Sequence, residues 1–115
     1  MRDKGYSPTP TAFHILLALS AGEMHGYRIM QKVKEDSSGQ FSVGPGILYT
    51  TIKRLLEEGL IEESDQRPDP ALDDQRRRYY RLTNLGRQVL SAEVERLASL
   101  AHQAQMRLSE IHAKQ

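Results

Sequence analysis

Residues 42–60 read SVGPGILYTTIKRLLEEGL: a glycine and proline break, a helical stretch with two unlike faces, and a glycine stop. Leu48, Ile52, Leu55 and Leu56 recur at spacings of four, three and one, which lines them along one stripe of an α-helix suited to a core. The opposite stripe is polar without being acidic. Tyr49, Thr50, Lys53 and Arg54 lie there, hydroxyl donors mixed with cations, the side chains that reach phosphates and base edges in a DNA groove. The same stripes also describe an ordinary amphipathic surface helix, so the neighbouring elements have to decide.

Upstream, Thr9, Pro10 and Thr11 carry N-cap and first-turn signals, and Ala12, Phe13, Leu16, Leu17 and Leu19 follow with helical spacing as far as Gly22. A second, shorter helix is expected to start near His25 and Gly26, to turn Ile29, Met30 and Val33 inward, and to fray in 35–39, where Asp36, Ser37, Ser38 and Gly39 make a turn. A short loop, 39–45, then leads into the third helix, the order of a helix-turn-helix, although this loop is longer than the tightest version. Downstream of Gly59 the period changes. Leu60 and Ile61 start a short strand, 65–75 is a polar loop with Pro68 and Pro70, and 78–83 alternates so that Tyr80 and Leu82 share a face. Three helices followed by such a hairpin make a winged helix-turn-helix, mainly α with a small β-hairpin, over residues 1–83.

The remainder, 84–115, reads as one long helix capped by Thr83, with Gly86 a mild cost near its start. Leu90, Val94, Leu97, Ala101, Ala104, Leu108 and Ile111 follow spacings of four and three without a break, a seam with the period of a coiled coil. The winged domain is too small to cover that seam, and a second copy of the chain is the simplest partner. Its large side chains would contribute roughly 8 to 15 kcal/mol gross. An association cost of about 4 to 15 kcal/mol opposes this, so a dimer needs further surface, for which Phe13 or Leu17 on the first helix is available. The competing arrangement folds the long helix back onto its own domain.

Bulk composition bounds the function. At 115 residues, 38% hydrophobic and 27% charged, the chain supports one small domain plus an extension. No apolar run approaches the roughly 20 residues that span a bilayer, and the N-terminal stretch lacks the apolar segment of a signal peptide, so a cytoplasmic protein without a membrane partner is expected. The chain has no cysteine, and its four histidines show no metal-ligand spacing; neither a glycine-rich phosphate loop nor a catalytic constellation occurs. No enzyme activity, metal or cofactor is expected. The net charge of +1 hides separated patches: eight of the fifteen acidic residues fall between Glu57 and Asp74, with Arg76, Arg77, Arg78 and Arg81 directly after them.

Met24-His25-Gly26-Tyr27, Gly46-Ile47-Leu48-Tyr49 with Lys53-Arg54-Leu55, Glu58-Gly59-Leu60-Ile61, and Arg78-Tyr79-Tyr80-Arg81-Leu82-Thr83 with Gly86-Arg87 together resemble the PadR family of transcriptional regulators. The resemblance covers roughly residues 12–95, and the single-helix tail is similar to that of the short subfamily. It implies a homodimer that binds a near-palindromic operator in double-stranded DNA, usually as a repressor, with small molecules at the dimer interface relieving repression in the family. On that basis the helix from Pro45 would enter the major groove, offering the amides about Gly46 and the hydroxyls of Tyr49, Thr50 and Thr51, while Lys53 and Arg54 engage the backbone. His25 and Tyr27 resemble phosphate-side contacts, although a half-buried Tyr27 with a satisfied hydroxyl serves the pattern as well. Arg76, Arg77 and Arg78 would bring the base of the wing to DNA, since Asp65, Asp69, Asp73 and Asp74 would be repelled at its tip. A winged-helix module that docks a protein instead of DNA is the alternative function.

Overall fold

Thr9 sets the first helix. Its hydroxyl accepts from the Ala12 amide at 3.2 Å, Pro10 occupies the first helical position, and α1 runs Pro10–Leu19. In this computed structural model, which describes residues 7–64 and 78–113, there follow β1 Met24–His25, α2 Gly26–Asp36, α3 Pro45–Glu57, β2 Ile61–Ser64, β3 Tyr79–Leu82 and α4 Asn84–Ala113. The helices expected from periodicity are present at their expected places. Ile15, Leu16, Ile29, Val33, Leu48, Ile52 and Leu55 are fully buried where α1, α2 and α3 meet, and truncating any one of them to alanine would cost roughly 2 to 5 kcal/mol.

The sheet differs from the expected two-stranded hairpin. It has three antiparallel strands in the order β1-β3-β2, because Met24 and His25 pair with Tyr80 and Tyr79 on the free edge of β3. On the other edge Glu62 faces Arg81 and Glu63 faces Tyr80. Tyr80 and Leu82 point into the core, as their alternation requires. The polar loop between β2 and β3, with Arg76, Arg77 and the four aspartates, lies outside the described residues.

Leu60 joins the helical layer to the hairpin and the tail. Gly59, at a φ of +76°, ends α3 by letting the Leu60 amide reach back to the Leu55 carbonyl at 3.0 Å and its own amide reach Leu56 at 3.1 Å. The Leu60 carbonyl then accepts from the Thr83 amide at 3.1 Å. Thr83 donates its hydroxyl to the Gly59 carbonyl at 2.6 Å and accepts from the Gly86 amide at 3.0 Å, so one side chain caps α4 and ties it to the end of α3. Gly86 is more than a cost to the helix: a Cβ there would fall on the Leu60 carbonyl oxygen, far inside contact distance. Only glycine lets α4 cross the hairpin this closely.

Past this crossing the character of α4 changes. Val89 and Leu90 are buried in the core of the winged domain, and Glu93 is buried as well. From Val94 onward every described residue is exposed, including Leu97, Ala101, Ala104, Leu108 and Ile111 of the seam. Leu90 therefore packs inward, and the open part of the seam begins at Val94. Phe13 is half-buried against the core. No helix among the described residues is long and apolar enough to cross a membrane. Three helices, a three-stranded sheet with a β2-β3 hairpin and a long C-terminal helix constitute a winged helix-turn-helix.

Candidate nucleic-acid interface

The first turn of α3 opens on small residues and carries no charge. Gly44 is its N-cap and makes no side-chain capping bond, Pro45 has no amide proton, no acidic residue falls in the turn, and the space beside Gly44 and Gly46 is open. Backbone can approach backbone there. Beyond it Thr50, Lys53 and Arg54 are exposed on the face opposite Leu48, Ile52 and Leu55. Thr51 is half-buried, and its hydroxyl proton goes to the Ile47 carbonyl at 2.7 Å, within the helix.

The distribution of ion pairs sets this helix apart from the other cationic surfaces. Arg28 is held by Glu35 at 2.9 Å and Lys32 by Asp36 at 3.4 Å on α2. On the hairpin Arg78 is held by Glu63 at 3.1 Å, and Arg81 by Glu62 at 2.8 Å and Glu23 at 3.5 Å. The carboxylates of Glu35 and Glu62 raise the pKa of Arg28 and Arg81 through these bonds. Lys53 and Arg54 have no such partner among the described residues. Among these residues a phosphate would meet Lys53 and Arg54 without a carboxylate partner on α3, as it would Lys34 on α2, while Arg28, Lys32, Arg78 and Arg81 each already face one.

His25, Tyr27 and Tyr49 cluster at the junction of α2 and α3, in roles the residue pattern alone does not separate. His25 is the N-cap of α2, its Nδ1 accepting from the Arg28 amide at 3.2 Å, and its ring meets Tyr79 edge-on with centroids 5.4 Å apart. Tyr27 is 59% exposed, which excludes the half-buried alternative and leaves its hydroxyl open to solvent. Tyr49 is half exposed, yet its ring lies directly on Gly26, so that it braces α3 against the start of α2. Among the expected contacts, Tyr49, one turn after Gly46 on α3, meets the start of α2 at Gly26, between His25 and Tyr27; Thr50, Lys53 and Arg54 follow along α3, and Arg78 precedes Tyr79, the strand partner of His25. Ile47, 60% exposed in the first turn of α3, belongs to neither the core stripe nor the polar stripe read from the sequence.

The architecture and this helix face define a winged-helix regulator of transcription. A profile of the transcriptional regulator PadR-like family matches residues 15–92, and the chain belongs to that family. It is 36% identical over 90 residues to the transcriptional regulator Rv3488 of Mycobacterium tuberculosis, the match covering 78% of each chain. In fold it resembles a PadR family transcription regulator from Clostridium difficile, with a TM-score of 0.71 at 24% identity over 87% of this chain and 99% of the other. Halobacterial RosR from H. salinarum is similar over 94% of this chain and 96% of its own, with a TM-score of 0.65 at 23% identity.

Proposed function

We propose that this PadR-family regulator acts as a homodimer that binds a specific double-stranded DNA operator and represses transcription, with the α3 face of each protomer in a major groove. The observation that carries this reading is the stripe of Thr50, Lys53 and Arg54, exposed and without an ion-pair partner among the described residues, behind a first turn that opens on Gly44, Pro45 and Gly46. Residues 1–83 serve as the reader, and 84–115 supply the dimer contact from Val94 to Ile111 together with Phe13. The dyad would set the two α3 helices about 34 Å apart, one turn of duplex.

Release by a small-molecule effector completes the reading. A cavity of about 340 Å³ lined by Pro10, Phe13, His14, Glu93 and Leu97 sits beside the open seam, where a partner protomer would close it. His14, one of the lining residues, stacks on Phe41 with ring centroids 4.2 Å apart.

Selection of duplexes from a random-sequence pool tests this function. Enrichment of a near-palindromic site whose affinity falls as salt rises, with a log-log slope of about 0.9 per phosphate neutralised, is the expected result. A pool that remains random would overturn DNA reading and favour a protein-docking winged helix.

A further inference from the structure

We propose that Ile47 is a specificity-determining residue that reads the C5-methyl group of a thymine in the major groove. The inference rests on α3 as the groove-facing helix and goes one step further, to what a single side chain on it recognises. Isolated aliphatic side chains on a surface are ordinary and need no partner. Ile47 is distinguished by its place. It lies in the first turn of α3, and spacings of three and four put it on one stripe with Thr50 and Arg54. The residues at the start of a groove-bound helix are those that meet base edges, while cations further along reach the phosphates.

Its surroundings leave the side chain available. Ile47 is 60% exposed, whereas Leu48, Ile52 and Leu55 of the same helix are buried. The space beside Gly44 and Gly46 is open, so neither neighbour screens it. One turn on, Thr51 has spent its hydroxyl proton on the Ile47 carbonyl and is not a donor competing for the same base. A branched hydrocarbon offers nothing to the donors and acceptors of guanine, adenine or cytosine, and covering them would leave polar groups unpaired. The thymine methyl is the one apolar group that unmodified base pairs present in the major groove, and it is read by apolar contact.

The test uses the full chain and duplexes enriched from a random pool, in which each thymine of a half-site is replaced in turn by deoxyuridine. That change removes the C5-methyl and nothing else. At one position per half-site the wild-type protein is expected to lose about fourfold in affinity, the fold-change that burial of one methyl group corresponds to. Ile47→Ala is expected to bind thymine and uracil there equally while still preferring the enriched duplex to random DNA. Ile47→Val, which keeps a branched apolar tip, is expected to retain the discrimination and serves should the alanine variant fold poorly. A wild-type profile flat at every thymine, or variants that all keep the wild-type ratio, would overturn the assignment of Ile47 while leaving DNA reading by α3 standing. Failure to enrich any duplex would remove both together.

Discussion

The hydroxyl of Tyr49 fills the space that a Cβ on Gly26 would need, with its ring Cζ 2.8 Å and Cε1 2.9 Å from that point. The two residues come from different helices, 23 positions apart in the chain, and their contact fixes how α3 leans on the start of α2. Gly26→Ala would drive the ring off its seat and is expected to lower stability by about 1 to 3 kcal/mol. In a Tyr49→Ala background the same substitution should cost little, because the obstructing ring is gone. Denaturant unfolding of the four variants measures the coupling, and simple additivity would show that the contact does not constrain the helices.

Lys53 and Arg54 carry the charge of the α3 face and have no ion-pair partner among the described residues. Replacing either with alanine is expected to weaken binding to all duplexes and to reduce the salt slope by about 1 each, with unchanged thermal unfolding because both are exposed. Arg78→Ala, which removes a cation already paired with Glu63, should change the slope less. Equal effects at Arg78 and Lys53 would move the main phosphate contact to the hairpin.

Gly86 allows α4 to pass over the Leu60 carbonyl, and backbone cannot swing aside as a side chain can. Alanine is the better helix former by about 1 kcal/mol, yet Gly86→Ala is expected to lower the unfolding midpoint, with a loss of roughly 3 kcal/mol or more. A stabilised variant would contradict the close crossing.

Glu93 is a buried carboxylate that accepts from Arg96 at 3.0 Å and from Ser7 at 2.9 Å. The bond from Arg96, helped by Ser7, holds its pKa below the usual 4.5 although burial acts the other way. A carboxylate with a depressed folded value stabilises fully above the unfolded value of 4.5, and that contribution is lost as pH falls through the folded one. Wild-type stability should therefore decline more steeply than that of Glu93→Gln as pH drops from about 5 to 3. Parallel pH profiles in thermal unfolding would show that the carboxylate has no such role.

Much of this architecture is legible in the chain because its signals are local. The caps at Thr9 and Thr83, the stop at Gly59 and the stripe of Leu48, Ile52 and Leu55 depend only on neighbours along one element. What the pattern does not show depends on encounters across the fold. β1 has two residues, too few for any alternation to register, and exists only because β3 presents a second edge. The need for glycine at 26 and 86 comes from Tyr49 and Leu60, each distant in sequence. The apolar seam of α4 runs unbroken through Leu90 into Val94, so periodicity cannot mark where the protomer's own core ends and the open surface begins. On the site, the choice of free over paired cations turns on cross-strand register, such as Glu62 opposite Arg81.

In the proposed assembly two copies, joined along the open seam of α4, present their α3 helices to one operator. Sedimentation equilibrium of the wild-type chain and of Leu97→Glu, each alone and with an enriched duplex, tests it most directly. The expected result is a wild-type dimer that binds one duplex as a dimer, and a folded Leu97→Glu monomer with affinity reduced by at least tenfold through loss of the second half-site. A wild-type monomer that binds the duplex one to one, or a Leu97→Glu chain that remains a full dimer, would contradict it.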